Sequence, residues 1–343
     1  MAYSNIDKPN QYFNTVLYTG NSTDDRAVTG VGFQPDFLWI KDRTVARVHY
    51  LADRVRGDTK YLQSQATTAE ITATSAVKSI DSDGFTTGTS TTVNNTGENY
   101  VVWNWLAGGT ASSNTDGSIT SQVSASTTSG FSIVSYTGTG ANATVGHGLG
   151  VAPKVVLIKG RSTTLDWVYG GDNIGWTKYL VLNKTDTSGT ASTVWNDTAP
   201  TSSVFSLGSN AAVNQSGATQ IAYCFSEVKG FSKFGSYTGN GNADGSFVYT
   251  GFKPAFVIVK RTDNTGSWVI TDNKRSAFNE VDKALLADSN IADYTGYDRD
   301  FLSNGFKLRT SEASHNQSGG SFIYMAFAEN PLVTTGKVPA TAR

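Results

Sequence analysis

Short apolar runs alternate with polar turns along almost the whole chain. The runs are rich in β-branched and aromatic residues, which favour strands, and turn sequences such as DSDG, NNTG, NTDG and SNG separate them. A helical period is weak throughout. The best short candidate, NEVDKALLADSN, aligns with two segments that have the pattern of strands. The pattern predicts an all-β protein made of many short strands.

One motif occurs three times, as GFQPDFLWIKDRT, GVAPKVVLIKGRS and GFKPAFVIVKRT. A proline marks the strand start, where its missing N–H does no harm, and a lysine ends each apolar run. Equivalent residues are separated by 118 and then by 101 positions. The residues that keep these offsets are Pro35, Pro153 and Pro254, Lys41, Lys159 and Lys260, and Tyr18, Tyr136 and Tyr237. Such a long period indicates repeated domains rather than a solenoid.

Other positions align at the same spacing. Trp167 corresponds to Trp268, and His49 occupies the equivalent place in the first copy. Six or seven short strands per copy are typical of a small β-sandwich. We therefore predict three tandem homologous jelly-roll-like β-sandwich modules of about 90–100 residues. The predicted boundaries are an N-terminal arm 1–16, module 1 at 17–107, a Ser/Thr/Gly-rich segment 108–130, module 2 at 131–228, a short linker 229–235, module 3 at 236–329 and a C-terminal arm 330–343.

Three parts of this division allow alternatives. The segment 108–130 fits either a flexible linker or, because SITSQVSAS alternates, an extra hairpin. The runs VVLI and FVIV are apolar at successive positions, so both faces of these strands need cover. The second face meets either another module or subunit, which we favour, or part of the same module. The C-terminal arm is predicted to be extended and to lie on a neighbouring molecule.

Composition limits the choice of partners. The net charge is −1, from 27 Lys and Arg against 28 Asp and Glu, and no basic cluster stands out, so nucleic-acid binding is not expected. The single cysteine, Cys224, cannot form an internal disulfide. MAYSNIDKPN lacks the apolar core of a signal peptide, and no apolar run is long enough to span a bilayer. We expect folding in a cytosol without membrane insertion.

Catalytic chemistry has little support in the sequence. His49, His147 and His315 are isolated in different modules, away from metal-ligand spacings. Cys224 alternates with aromatic residues in a closing strand, which favours a small buried side chain. DSDG at 81–84 fits a tight turn better than a calcium loop. A nucleophile elbow, a P-loop and a dinucleotide fingerprint are all absent from the sequence. We expect no enzyme activity, no metal and no cofactor.

Several tryptophans stand beside Asp and Asn in turn-rich stretches such as LDWVYGGDN, IGWTK and VWNDTAP. Sugar-binding surfaces combine aromatic faces, which cover sugar rings, with polar groups that bond to hydroxyls. Trp167 and Trp268 share a repeated position, which favours a place in the core. Trp176 and Trp195 have no repeat counterpart. The predicted glycan-binding surface consists of Trp176, Trp195, Asp172, Asn173 and Asn196.

Long strings of the chain resemble bacteriophage proteins. HGLGVAPKVVLIKGR, GFSKFGSYTGNGNADGSFVYTGFKPAFVIVKRTD and FIYMAFAENP are similar to segments of virion and tail-fibre proteins of marine phages, which carry a recurrent β-rich, lectin-like or jelly-roll-like domain of unknown function. The resemblance covers roughly residues 12–343 and brings no catalytic residues with it. Module 1 departs most, with ARVHYLADRVRG where a Trp-centred strand is expected. The resemblance implies a structural protein of the virion, assembled in the host cytoplasm.

Two roles fit such a protein. In the first, which we favour, it is a tail-associated fibre or adhesin component that contacts host surface glycans through exposed aromatic side chains. In the second, it is a capsid or tail decoration protein, a cement with no ligand of its own, and the same aromatics are buried against neighbouring chains. Other virion proteins are the expected partners in both roles. A homo-oligomer is also expected, and a trimer if the protein forms a fibre.

Overall fold

The computed structural model describes residues 4–341, and its regular structure consists almost entirely of strands. Every pairing between the named strands is antiparallel, including the pairings inside the three largest sheets. The all-β class predicted from the sequence is therefore confirmed. The strands fall into three groups with the same order, which we call modules 1, 2 and 3 at residues 13–105, 112–225 and 232–331.

Module 1 follows a short 3₁₀ turn at Pro9–Gln11 and pairs a larger sheet with a smaller one. Its strands are β1 Phe13–Thr19, β2 Arg26–Thr29, β3 Phe37–Asp42, β4 Tyr50–Asp53, β5 Lys60–Leu62, β6 Ile71–Thr72, β7 Val77–Asp81, β8 Gly84–Thr87 and β9 Asn99–Trp105. The larger sheet has the order β1-β9-β3-β4-β5-β6, and the smaller has the order β2-β8-β7. The helix α1, Thr91–Asn94, precedes the closing strand and is N-capped by the Ser90 side chain.

Module 2 repeats this arrangement and adds a hairpin at its start. Its strands are β10 Ser112–Asn114, β11 Ser121–Ser126, β12 Phe131–Thr137, β13 Ala143–Gly146, β14 Val155–Gly160, β15 Val168–Gly171, β16 Lys178–Val181, β17 Gly189–Thr190, β18 Val204–Leu207 and β19 Thr219–Phe225. The larger sheet has the order β10-β11-β12-β19-β14-β15-β16-β17, and β13 pairs with β18. Its helices are α2, Ser192–Trp195, and α3, Ala211–Asn214.

Module 3 has the same core order with a longer third strand. Its strands are β20 Ser232–Thr238, β21 Phe247–Tyr249, β22 Phe252–Arg261, β23 Val269–Asp272, β24 Ala284–Leu286, β25 Arg299–Leu302, β26 Gly305–Leu308 and β27 Ser321–Pro331, with α4 at Ala313–Asn316. The sheets have the orders β20-β27-β22-β23-β24 and β21-β26-β25. Pro35 and Pro153 lie just before β3 and β14. Pro254 instead lies inside β22, at a shift of register where a missing N–H is tolerated.

A buried asparagine at the end of a short helix recurs in each module and explains part of the sequence repeat. Asn94, Asn214 and Asn316 are fully buried. Each Oδ1 accepts a bond from a backbone N–H of the loop after β1, β12 or β20, at 3.0, 2.7 and 3.1 Å. Each Nδ2 donates to the backbone carbonyl just before its helix, at 2.8, 2.9 and 2.7 Å. The side chain thus supplies the partners that buried backbone groups require.

The three larger sheets pack against one another around a common apolar core. Side chains that contribute to it from the three modules include Phe37 and Trp105, Tyr223 and Phe225, and Phe256 and Phe327. The opposite face of each larger sheet packs on its own smaller sheet in a separate core. Val155 faces the common core and Val156 the core of module 2, so the continuous apolar runs are covered on both faces. The predicted contact between modules is confirmed.

The modules contact each other in a closed ring, in which module 2 bonds to module 1, module 3 to module 2 and module 1 to module 3. One contact recurs at each junction. The repeated tryptophan donates its indole N–H to a backbone carbonyl of the preceding module, and in module 1 a histidine ring nitrogen contacts the equivalent carbonyl. These contacts are Trp167 Nε1 to Gln63 O at 2.8 Å, Trp268 Nε1 to Val181 O at 2.9 Å, and His49 Nε2 to Leu286 O at 2.9 Å. Each module uses one surface to contact the module before it and a different surface to contact the module after it. This head-to-tail contact closes into a ring after three modules, as in a cyclic trimer.

Backbone bonds repeat the same ring. They run from Glu70 N to Arg161 O at 2.7 Å, from Ser188 N to Thr262 O at 3.0 Å, and from Asp293 N to Arg43 O at 2.9 Å. Trp167 and Trp268 are fully buried, so the prediction that they are core residues is confirmed. The chain therefore builds within one polypeptide the pseudo-threefold arrangement that a trimer builds from three.

The structure corrects several predicted boundaries. The first strand begins at Phe13, inside the predicted N-terminal arm, and β20 begins at Ser232, inside the predicted linker 229–235. The last strand extends to Pro331, beyond the predicted end at 329. The segment 108–130 contains the hairpin β10–β11, which extends the larger sheet of module 2, so the flexible-linker alternative is wrong. Polar turn residues near each end hid these strand ends in the sequence.

The two terminal arms contact each other. The Asp7 carboxylate accepts bonds from the backbone N–H of Thr335, at 2.8 Å, and from its hydroxyl. Ala340 N donates to Leu332 O at 2.9 Å, which folds the arm back on itself. The described part of the C-terminal arm therefore contacts its own chain, and its contact with a neighbouring molecule stays a prediction. Residues 1–3 and 342–343 lie outside the described residues.

Candidate functional site

The structure buries the two tryptophans predicted to bind glycans. Trp176 is 8% exposed and Trp195 is 1% exposed, and both belong to the core of module 2. Their rings meet edge to face with centroids 5.4 Å apart. Burial of the ring faces against protein leaves no surface for a sugar. The prediction that Trp176 and Trp195 form a glycan platform is wrong.

The physical reason for this burial lies in the facing strand. Gly170 in β15 stands where modules 1 and 3 have Ala52 and Thr271. A Cβ at Gly170 would lie 2.4 Å from the Trp195 ring, so the absence of a side chain makes room for the indole. The Trp176 indole donates to Asp172 Oδ1 at 2.5 Å, which fixes its orientation.

The polar members of the predicted surface are separated. Asn196 adopts a left-handed conformation after α2, and its Oδ1 accepts a bond from Asn142 at 2.7 Å. Asn173 Oδ1 accepts a bond from the Tyr169 hydroxyl at 2.9 Å, next to Asp172. Asp172 and Asn173 lie at the surface between modules 2 and 3, whereas Asn196 lies elsewhere on module 2.

The repeated lysines have a structural environment. Lys41, Lys159 and Lys260 are fully buried. Lys159 Nζ donates to Thr67 O of the preceding module at 3.0 Å, and Lys260 Nζ makes the equivalent bond to Thr185 O at 3.0 Å. Burial lowers the pKa of each of the three lysines to about 8. Lys159 and Lys260 join modules, and all three lysines are closed to a ligand.

The remaining reactive side chains are also buried. Burial raises the pKa of the Cys224 thiol well above its usual range, so this side chain is a poor nucleophile. Burial lowers the pKa of His49 to about 3, and that of His147 moves in the same direction. Within residues 4–341, no cluster of three or more His, Cys, Asp or Glu side chains could hold a metal ion.

An exposed aromatic pair occurs on module 3. Phe247 and Tyr249 are 47% and 58% exposed, whereas Val248 between them is buried. Alternation along β21 places both rings on the outer face of the smaller sheet. The Tyr249 hydroxyl has no hydrogen-bond partner among the described residues, so both its ring and its polar end are available to a ligand.

Tyr249 lines a surface groove of about 430 Å³, which we call the Tyr249 groove. The groove is lined by Glu227, Lys229, Gly230, Ser232, Lys233, Tyr249, Thr250, Gly251 and Leu332. Lys233 Nζ forms an ion pair with Glu227 Oε2 at 2.9 Å, and Glu227 Oε1 accepts from the Phe234 backbone N–H at 2.9 Å. The groove therefore combines one aromatic wall with an ordered charged pair.

A second depression, of about 230 Å³, adjoins the groove and shares its Glu227 and Lys233. We call it the Asp172 depression, because Asp172 and Asn173 line it together with Lys154. Lys154 Nζ pairs with Asp172 Oδ2 at 2.6 Å, and both side chains are partly exposed. Two of the predicted polar residues thus lie beside the groove, although the aromatic partner is Tyr249 rather than a tryptophan.

Comparison of the modules shows that the aromatic pair is specific to module 3. Val28, Val145 and Val248 occupy equivalent places, since each pairs with a phenylalanine of the neighbouring strand. The residues on either side are Ala27 and Thr29 in module 1, Thr144 and Gly146 in module 2, and Phe247 and Tyr249 in module 3. Only the central valine packs in the core, so packing does not account for the flanking rings. The sequence signal is the alternation FVY within GSFVYTG, which stands where the other copies have small or polar residues.

The fold and the groove define an all-β protein with three modules and one distinctive surface. The chain belongs to a family described as a domain of unknown function (DUF7483), whose model matches residues 8–331. No curated protein matches the chain. The family match spans all three modules, so they belong together as one unit of that family. Across residues 4–341, none of the helices has the length and apolar character to cross a membrane.

Proposed function

We propose that the chain is a non-catalytic structural protein of a bacteriophage virion, and that its Tyr249 groove contacts glycans on the host surface. The resemblance of its sequence to phage tail-fibre proteins supports the first part. The exposed pair Phe247 and Tyr249 beside a polar groove supports the second. In this role the protein is a tail-associated adhesin component.

The chemistry of the groove suits a sugar. The apolar face of a pyranose ring packs on an aromatic side chain, while charged and amide groups bond to its hydroxyls. A volume of about 430 Å³ falls within the range of about 300–1,000 Å³ that is common for small-ligand pockets. Because the groove is shallow and charged, we expect a dissociation constant in the millimolar range for one site. Several copies on one particle would raise the overall affinity.

Substitution of Tyr249 tests this proposal. A glycan array identifies the best oligosaccharide, and titration calorimetry then compares the wild type with Tyr249→Ala. Loss of the ring contact is expected to weaken binding about tenfold, which corresponds to roughly 1.4 kcal/mol.

Tyr294→Ala is the matched control, because Tyr294 is also half exposed on module 3 but does not line the groove. Its affinity is expected to equal that of the wild type. Equal binding by the Tyr249 variant, or no binding of any glycan by the wild type, would refute the glycan part of the proposal.

One observation favours the alternative role, a capsid or tail decoration protein. Phe278 is 79% exposed and Val338 is 63% exposed, and such apolar side chains suit contacts with other virion proteins. In that role the exposed side chains of the chain are covered in the particle, and it needs no ligand of its own.

A further inference from the structure

The core of module 3 contains two polar residues where module 1 has valines. The strands β8 and β26 are equivalent, and each begins with a glycine. Their last residues, Thr87 and Leu308, pair with Val77 and Arg299 of the neighbouring strands. Arg299 therefore occupies the position of Val77. In the same way, His315 in α4 stands where α1 has Val93. Both valines are fully buried in the core of module 1. Module 3 has therefore placed a guanidinium and an imidazole inside a β-sandwich.

The Arg299 side chain is fully buried, and none of its three nitrogens has a hydrogen-bond partner among the described residues. Within the described part of the chain, no carboxylate lies within 4 Å of it. The preceding Asp298 carboxyl acts on it only at longer range. Burial lowers the pKa of Arg299 to about 10, so the guanidinium is still charged at neutral pH. An unpaired buried charge is strongly destabilising, so this cation requires a counter-charge.

The neighbours of Arg299 are mainly aromatic side chains. Its guanidinium carbon lies 5.9 Å from the Phe306 ring centroid, and Phe306 meets the Tyr237 ring at 6.1 Å. The Tyr237 hydroxyl donates to His315 O at 2.7 Å, which brings the helix α4 to the same place. The His315 ring packs on Tyr297 at 4.7 Å. The guanidinium is therefore shielded from bulk solvent and surrounded by aromatic rings.

His315 is the second polar group of this site. It is fully buried, and its Nε2 has no hydrogen-bond partner among the described residues. Its Nδ1 lies 3.4 Å from Glu312 Oε2, on the exposed side of the helix. The Glu312 carboxylate favours the tautomer that carries its proton on Nδ1, so the hydrogen-bond donors of the site are those of the guanidinium.

We propose that Arg299 binds a small monovalent anion of the halide or small-oxyanion class in the core of module 3. One negative charge neutralises the single buried guanidinium, and the donors of Arg299 supply its hydrogen bonds. The aromatic walls limit the ligand to a small one. Because the anion binds only the folded protein, it stabilises that state.

Thermal unfolding in chloride tests the site. At constant ionic strength, with gluconate as the larger balancing anion, the melting temperature of the wild type is expected to rise by about 2 °C or more and to saturate with chloride. Arg299→Val introduces the residue of module 1, so it is expected to fold and to lose this dependence. Arg309→Ala is the control, because Arg309 is a partly exposed arginine of the same module with its own partner Asp300. Its dependence is expected to remain.

A second measurement keeps the proposal testable if Arg299→Val fails to fold. Crystals of the wild type grown in bromide should show an anomalous peak next to the Arg299 guanidinium. The absence of a peak there, a melting temperature indifferent to chloride, or an unchanged chloride dependence in Arg299→Val would each overturn the proposal. Ordered water alone in the site would do the same.

Discussion

At the scale of single residues, the repeated lysines show how a charge can become part of an interface. Lys159 Nζ donates to Thr67 O, Gly160 O and Thr163 O, at 3.0, 3.0 and 3.5 Å. Carbonyl oxygens from two modules thus take the place of water around the ammonium. They accept its hydrogen bonds, but they do not fully compensate the free energy of hydration that the charge loses on burial. Lys260 has the equivalent environment.

These lysines predict a rise of stability with pH. Their pKa in the folded protein is about 8, below the ordinary value of 10.5, so the unfolded chain binds more protons between these values. The unfolding free energy should therefore increase from pH 8 towards pH 10.5, by at most about 1.4 kcal/mol per pH unit for each lysine. Below about pH 8 these lysines should give no slope. Urea unfolding at several pH values between about 7 and 9.5 measures this increase. At higher pH the buried tyrosines, whose pKa is raised in the folded protein, lower the unfolding free energy and oppose the increase.

Two lysine-to-methionine variants separate the contribution of the buried lysines to this pH dependence from that of other titrating groups. Lys159→Met should reduce the slope above about pH 8, whereas Lys178→Met should leave it unchanged, because Lys178 is an exposed lysine of β16. A slope that is the same in the wild type and in Lys159→Met would show that the buried lysine keeps its ordinary pKa.

The residue scale also shows what the sequence can predict. The repeated positions Trp167 and Trp268 are correctly assigned to the core, because a residue that recurs with a repeat usually serves the fold. The opposite inference fails for Trp195, which has no counterpart and is nevertheless buried. Its place depends on Gly170, a residue in another strand, and that pairing cannot be read before the register is known.

At the scale of elements, the ends of the strands form seams between the modules, and the three seams are not identical. The closing strands β19 and β9 reach the preceding module in the ring through polar contacts. The Tyr223 hydroxyl donates to Asp53 Oδ2 at 2.7 Å, and Trp103 Nε1 donates to Asp272 Oδ2 at 3.0 Å. Both carboxylates also pair with a buried arginine three residues later.

The third seam lacks both parts of this arrangement. Met325 stands at the position of the aromatic donor, and Gly171 stands at the position of the carboxylate. The donor and the acceptor are therefore absent together, which leaves no buried group unpaired. Met325 instead helps to line a small apolar cavity of about 40 Å³ in the common core.

The contact between Tyr223 and Asp53, which joins module 2 to module 1, predicts a measurable loss of stability in Tyr223→Phe. This change removes one donor from the buried Asp53 carboxylate while the ring remains, so we expect a destabilisation of about 1–3 kcal/mol. Tyr61→Phe is the control, since the Tyr61 hydroxyl has no hydrogen-bond partner in the described structure. Chemical unfolding of both variants provides the comparison. A Tyr223 variant as stable as the control would mean that the carboxylate is satisfied by Arg56 alone.

The elements are predictable to different degrees. The repeat and the alternation of apolar residues indicate the all-β class and most strands, because side-chain period follows directly from the pleat. The segment KALLA is correctly assigned to a strand, β24, by alignment with the other copies. The limits of strands are less predictable, since backbone pairing continues into polar residues such as those of β27 near Pro331.

At the scale of the whole molecule, the ring of modules changes the meaning of the repeat. The continuous apolar runs predicted a contact between modules but not one core shared by all three, because the sequence shows that a face needs cover but not which partner supplies it. With a ring closed inside one chain, the apolar faces that could join three chains are already covered. Homo-oligomer formation remains a prediction, and it would have to use another surface.

The ring also makes the asymmetry of the modules informative. Where all three share a residue, as with the buried asparagines, the fold explains it. Where one departs on the surface, as with Phe247 and Tyr249, the departure indicates a function. We therefore propose the outer face of module 3 around the Tyr249 groove as the surface that faces the host.

A cryo-electron-microscopy reconstruction of the phage particle tests this account most directly, because it shows where the chain lies and which surface faces outwards. We expect the chain at the tail, with Phe247, Tyr249 and the Tyr249 groove open to solvent on the side that meets the host. A chain on the capsid lattice, with the groove covered by a neighbouring virion protein, would contradict the account and establish a decoration protein instead.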